Sequence, residues 1–109
     1  MTTFLHVRWT HAFMDQPTEL YSEVVDGWES RKVEVYADGR ADLAGQGLQS
    51  GSTYLGEVKV PSLEEIAEDS QFQPEYVTGE AFETLWRMAV ERHKLTNARP
   101  LHRTADGEE

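Results

Sequence analysis

The sequence predicts an α+β domain in which an antiparallel β-meander of four to five strands is packed on one face by two C-terminal helices. Three observations favour this fold class. The first half alternates apolar and polar residues with a period of two, which is typical of strands. Asp-Gly pairs at 26–27 and 38–39 are typical of hairpin turns. After Pro61 the apolar residues recur at three and four positions, which is typical of helices.

The strands are expected in the first 60 residues. Residues 4–11 alternate through Leu5, Val7 and Trp9, so they form the first strand. Pro17 interrupts the chain, and residues 18–25 form a second strand that leads into the first Asp-Gly turn. Residues 28–36 are rich in β-branched and aromatic side chains, and residues 40–44 return from the second Asp-Gly turn. The glycine-rich segment that follows is expected to be a loop, and residues 53–60 a last short strand.

Two helices are expected in the second half. Ser62 and Glu65 have the spacing of a capping box, so a short helix should begin there and continue to about residue 70. Residues 72–74 then connect to a second helix over residues 79–95, capped by Thr78. Its apolar stripe, which should lie across the sheet, is Phe82, Leu85, Trp86 and Ala89. Residues 1–95 are therefore expected to form a single domain, and residues 96–109 a polar, disordered tail.

Composition excludes several classes of protein. The 109 residues include no cysteine, which excludes disulfides, thiolate metal sites and cysteine nucleophiles. The N-terminus lacks the pattern of a signal peptide, and no apolar stretch approaches the roughly 20 residues of a membrane span. We therefore expect a soluble, cytoplasmic protein that does not bind membranes.

The net charge of −10 is uneven, since residues 57–91 alone carry −7. Such a field repels nucleic acid and anionic lipid and attracts a basic partner. The alternative is that the acidity serves solubility alone.

Three pairs of residues with the same spacing indicate a candidate site. Residues two apart in a strand point to the same face, so each pair should present both of its side chains together. In neighbouring strands the pairs could converge into one polar patch edged by two aromatic rings. The pairs are Trp9 with His11, Tyr21 with Glu23, and Glu29 with Arg31. This patch could bind a small polar ligand or a charged side chain of a partner, or it could be a cross-strand ion-pair network with a structural role.

Other kinds of site find less support. The four histidines do not have the paired spacing of metal ligands, so no metal site is expected. The glycines do not form a phosphate-binding fingerprint, and no cofactor is expected. Catalysis by His11 with a neighbouring carboxylate stays open as the least favoured alternative, since no nucleophile motif accompanies it. Trp28 lies beside a turn, where it is either an exposed contact residue or part of the core.

Several short motifs resemble a family of small bacterial domains of unknown function, over about residues 4–87. The motifs are Trp9-Thr10-His11, Pro17 followed by Tyr21-Ser22-Glu23, the run from Glu29 to Val35 that precedes Asp38-Gly39, Leu55-Gly56-Glu57, residues 61–67, and Phe82-Glu83 with Trp86. This resemblance implies a compact single domain. It implies no reaction, cofactor or catalytic residue.

The leading functional hypothesis is a non-catalytic binding domain that recognises another protein. In its most specific form it is an immunity or antitoxin-like protein that neutralises a basic toxin, because the chain is small, acidic and without a catalytic motif. The alternative is a small-molecule-binding or regulatory domain that uses the polar patch on the sheet. A homodimer is a further expectation, since a meander leaves an edge strand that a second copy can cover.

Overall fold

The computed structural model describes residues 1–98 as a six-stranded antiparallel sheet with two helices. The strands are β1 (Thr2–Trp9), β2 (Glu19–Val25), β3 (Trp28–Val35), β4 (Ala41–Gly45), β5 (Leu48–Gln49) and β6 (Phe72–Tyr76), and the helices are α1 (Leu63–Ala67) and α2 (Gly79–Ala98). The strand order across the sheet is β5-β4-β3-β2-β1-β6. The predicted α+β class and the meander are confirmed, but the sheet has six strands rather than four or five.

Asp-Gly turns close two of the hairpins, as the sequence predicts. Between β2 and β3, Asp26 has a φ of 51° and Gly27 a φ of 91°. Both central residues of a type I′ turn need such left-handed conformations, which aspartate and glycine tolerate best. Between β3 and β4, Gly39 has a φ of 89° and donates its N–H to the carbonyl of Tyr36 at 2.9 Å. Local turn chemistry therefore sets the register of the meander.

A β-bulge interrupts β3 opposite the middle of β2. Glu23 pairs with Arg31, whereas the next residue, Val24, pairs with Glu29. Ser30 is therefore the extra residue of the bulge, and it shifts the alternation of side chains by one position. As a result, Glu29 and Arg31 point to opposite faces of the sheet although they are two residues apart.

Strand β6 replaces the connector that the sequence predicts at residues 72–74. Pro74 lies opposite Val7 of β1, between the backbone hydrogen bonds Thr10 N to Gln71 O (2.8 Å) and Val77 N to Phe4 O (2.9 Å). The alternation of an antiparallel ladder then places Pro74 at a position whose nitrogen points away from β1. The prediction was wrong because a proline interrupts a central strand but is tolerated on an edge strand.

Residues 53–60 form no strand, so the predicted last strand was wrong; β5 lies earlier, at Leu48–Gln49, and pairs with β4. The segment crosses one face of the sheet instead, and hydrogen bonds from its side chains and its backbone hold it there. The Thr53 hydroxyl, which is buried, donates to Glu34 Oε1 at 2.5 Å, and the N–H of Val60 donates to the carbonyl of Gly27 at 2.8 Å.

Helix α2 packs its apolar stripe on the sheet, as the sequence predicts. Phe82, Trp86 and Ala89 are at most 5% exposed and cluster with Val33 and Leu43 of the sheet. The helix runs to Ala98, so the first residues of the predicted tail are helical, and the tail from residue 99 onward lies outside the described residues.

Helix α1 lies on the face opposite α2, so the two helices do not share one face as predicted. Its predicted capping box is present, since the side chain of Ser62 accepts from Glu65 N and the Glu65 side chain accepts from Ser62 N. The helix ends at Ala67 and has no buried residue. In the described part of the chain neither helix is long and apolar enough to cross a membrane.

Candidate functional site

Glu23 and Arg31 are the two charged site residues that the structure brings together as predicted. They oppose each other on β2 and β3, and the guanidinium donates from Nε to Glu23 Oε1 at 2.8 Å and from Nη2 to Glu23 Oε2 at 2.7 Å. Glu83 of α2 accepts from Nη1 at 3.0 Å and from Nη2 at 2.5 Å. Arg31 is thus held between two carboxylates in paired, charge-assisted hydrogen bonds.

This cluster is saturated by the protein's own groups. Arg31 is 5% exposed, and its guanidinium carbon lies 5.0 Å from the ring centroid of Phe82 and 5.2 Å from that of Trp86. Its hydrogen bonds hold the pKa values of Glu23 and Glu83 below the usual range of a glutamate. Four of its five N–H groups are in use, so the arrangement favours a structural clamp between sheet and helix over a ligand site.

Glu29 lies on the other face, because the bulge separates it from Arg31. Its carboxylate accepts from the Ser22 hydroxyl at 2.6 Å and from the backbone N–H of Gly56 at 2.8 Å. The ammonium of Lys32 is 3.2 Å from Glu29 Oε1 and donates to the carbonyl of Tyr54 at 3.2 Å. These contacts fasten the glycine-rich loop to the sheet.

A groove lies beside Glu29, between this face of the sheet and the segment that leads into α1. Its volume is about 440 Å³, and Leu5, Val7 and Leu20 form its floor. Val58 and Ile66 form a wall, and the polar residues at its ends are Ser22, Glu29, Lys32, Lys59, Glu65 and Asp69. Glu29 is the only member of the predicted patch that lines this groove.

Trp9 and His11 lie away from the charged residues of the patch. His11 follows β1 in a loop, where its Nε2 is 2.8 Å from the carbonyl of Pro17 and its Nδ1 accepts from the N–H of Phe13 at 2.9 Å. The ring of Trp9 is 4.2 Å from that of His11, and its Nε1 donates to Gln71 Oε1 at 3.2 Å. Since backbone groups occupy both ring nitrogens, His11 orders the loop, and among residues 1–98 it forms no hydrogen bond with a carboxylate.

Tyr21 belongs to a second cluster, centred on His6, which the sequence analysis missed. His6 is 9% exposed, and its ring stacks on Tyr21 with the centroids 4.4 Å apart. Its Nε2 is 2.5 Å from Glu19 Oε1 and its Nδ1 is 2.7 Å from Glu75 Oε2. Burial raises the pKa of Tyr21. Alternation places His6 on the opposite face of the first strand from Leu5 and Val7, and no pattern in the sequence indicated the strand β6 that supplies Glu75.

Trp28, the first residue of β3, is 47% exposed. The exposed alternative is therefore the one that the structure supports, and a role in binding stays a prediction. Among residues 1–98, no group of three or more histidine, aspartate or glutamate side chains is placed to hold a metal ion.

Comparison with known families decides what kind of domain this is. A family model described as Domain of unknown function (DUF6881) matches residues 3–91, which include the whole sheet, α1 and most of α2. The chain belongs to the DUF6881 family. The matched region contains both the Arg31 clamp and the groove. No curated protein and no solved structure matches the chain.

Proposed function

We propose that this DUF6881 domain is a non-catalytic protein-binding module whose partner presents a basic surface. The observation that carries the proposal is the distribution of charge in the second half. Residues 60–86 hold seven acidic residues and no lysine or arginine. This stretch includes α1, β6 and the first turns of α2, which we call the acidic edge.

The carboxylates of the acidic edge are available to a partner. Glu64, Glu68 and Glu80 are exposed, and within residues 1–98 they form no ion pair. Of the acidic-edge carboxylates, Glu83 pairs with Arg31 and Glu75 with His6, and the described residues provide no ion pair for the others. Exposed charges of one sign raise the rate at which an oppositely charged protein associates.

Apolar anchors lie next to this charge. Tyr76 of β6 is 63% exposed, and in the loop after β1 Phe13 is 61% and Met14 93% exposed. The loop adjoins the acidic edge because Trp9 contacts both Phe13 and Phe72, at ring distances of 6.5 and 5.8 Å. Exposed aromatic side chains beside a charged rim are typical of protein interfaces.

The most specific form of this proposal is an immunity or antitoxin-like protein that covers a basic enzyme. Its support is the charge of the edge together with a His11 and an Arg31 whose polar atoms are engaged within the domain. A soluble basic protein is therefore the partner class that we expect.

Two variants with equal net charge test the proposal. The edge variant carries Glu64→Gln, Glu68→Gln and Glu80→Gln, and the control carries Asp38→Asn, Glu57→Gln and Glu91→Gln, which are exposed acids elsewhere. The wild type and each variant are immobilised, and the proteins that they retain from a lysate of the native cell are identified. The affinity of a purified candidate partner for each of the three is then measured at several salt concentrations. We expect the edge variant to lose a basic partner that the wild type and the control retain. Equal binding by both variants, or no partner with salt-dependent affinity, would contradict the proposal.

A further inference from the structure

The groove between the sheet and α1 has the size and lining of a small-molecule site. Its volume of about 440 Å³ is within the range of roughly 300–1,000 Å³ that such sites have. The floor is apolar, since Leu5 and Val7 of β1 and Leu20 of β2 lie side by side. The wall is loosely packed, because Val58 is 74% exposed and α1 buries no residue. Leu5 and Val7 are 6% and 7% exposed, so an apolar ligand body would reach the floor by displacing this wall and not the core.

The charges around the groove define the chemical class of the ligand. The chain has three lysines, and two of them, Lys32 and Lys59, line this groove. Glu29 neutralises Lys32 at 3.2 Å, and the described residues provide no ion pair for Lys59. An ammonium without an ion pair beside an apolar floor is complementary to a carboxylate that carries an apolar body.

Glu65 and Asp69 also line the groove, and each directs one carboxylate oxygen to a backbone N–H. Glu65 Oε1 accepts the N–H of Ser62 at 3.0 Å in the capping box. Asp69 Oδ1 accepts the N–H of Gln71 at 3.0 Å. The stem of Lys59 packs beside Gly27, with its Cδ 3.5 Å from the point where a Cβ on that glycine would lie. Lys59 thus has a defined position at the groove, and its ammonium is the cation available to a ligand.

We propose that this groove binds a small amphipathic monocarboxylate, with its apolar body over Leu5, Val7 and Leu20 and its carboxylate at the ammonium of Lys59. The site is separate from the protein-binding proposal, because it needs none of the exposed carboxylates tested there. Either proposal can therefore fail without the other.

The test uses octanoate as the probe and octanamide as its uncharged counterpart. Each is titrated into the full chain labelled with ¹⁵N, and the backbone amide shifts of the floor residues are followed. Lys59→Met removes the charge at the groove, and Lys94→Met is the matched control, since Lys94 lies on α2 with its side chain 68% exposed. Amide spectra of both variants without ligand establish that they are folded.

We expect octanoate to shift the backbone amide signals of Leu5, Val7 and Leu20 saturably. Octanamide should bind more weakly than octanoate, by a factor of about ten or more. Lys59→Met should weaken octanoate binding by about tenfold, the size of one charge-assisted hydrogen bond, whereas Lys94→Met should leave it unchanged. The proposal is overturned if octanoate produces no saturable shift at the floor, if the acid and the amide bind equally, or if both lysine variants lose affinity to the same extent.

Discussion

Replacing Arg31 by methionine should cost a large part of the stability of this domain. The substitution removes the cation and leaves the carboxylates of Glu23 and Glu83 facing each other. The side chain of Glu83 is 43% exposed and can turn into water, so its lost pair costs about 0.2–1 kcal/mol. That of Glu23 is 18% exposed and is held by Ser30, so its loss approaches the roughly 3–5 kcal/mol of a buried pair broken from one side.

The expected total for Arg31→Met is therefore about 4 kcal/mol, or a melting temperature lower by about 15–30 °C in a domain of this size. Urea unfolding at neutral pH, followed by tryptophan fluorescence, measures it. Arg31→Lys should recover only part of the loss, because an ammonium cannot form two bidentate pairs. Arg40→Met is the matched control, since Arg40 is exposed and stacks on Tyr36 alone, and it should cost less than about 1 kcal/mol.

A double variant separates the clamp from simple packing. In Arg31→Met with Glu23→Gln the stranded charge is gone, so the double variant should be more stable than Arg31→Met alone. The clamp interpretation is refuted if Arg31→Met lies within about 1 kcal/mol of the wild type, or if Glu23→Gln lowers the stability of the Arg31→Met background further.

Three further predictions follow from the described contacts. The pKa values of Glu23 and Glu83 are lowered below 4.5, so the stabilisation that the two carboxylates provide is complete above that pH and is lost as the pH falls through the lowered values. As the pH is lowered from about 7 to about 3, the urea midpoint of Glu23→Gln should therefore decrease less than that of the wild type. Gly45→Ala should cost more than about 2 kcal/mol in urea unfolding, because the φ of Gly45 is 130° and its Cβ would lie 2.8 Å from the carbonyl oxygen of Ser30. The control is Gly47→Ala, whose Cβ would meet nothing within 4 Å and which should cost about 1 kcal/mol. Equal costs would argue against the close approach at Gly45. Pro74→Thr adds an outward N–H to the edge of β6 and should promote self-association that increases with protein concentration, which size-exclusion chromatography measures. A variant as monodisperse as the wild type would show that Pro74 does not protect this edge.

The parts of the fold that sequence patterns predicted are those set by local chemistry. The Asp-Gly turns, the capping box at Ser62 and the apolar stripe of α2 each depend on residues within a few positions of one another. The errors arose where distant contacts decide the outcome. Pro74 is compatible with a strand only because β6 is an edge, and residues 53–60 lie on the sheet because Thr53 and Gly56 find side-chain partners on β3.

The candidate site shows the same division. Glu23 and Arg31 meet as predicted because neighbouring strands of a meander bring such pairs together. Glu29 does not join them, since a bulge cannot be seen in the alternation of the sequence. His6 was overlooked because its partners, Glu19 and Glu75, come from two strands, one of which was not predicted.

The bulge at Ser30 also affects how members of the family can be compared. Residues 29–31 form one short motif in a sequence, yet the acid and the base within it serve separate surfaces that have no contact with each other. A homologue without the extra residue would keep both pairings, because its acid and base would be neighbours in a regular strand and would still point to opposite faces. An alignment that matches residues by spacing alone would therefore mistake the acid and base of this chain for a pair that shares one face.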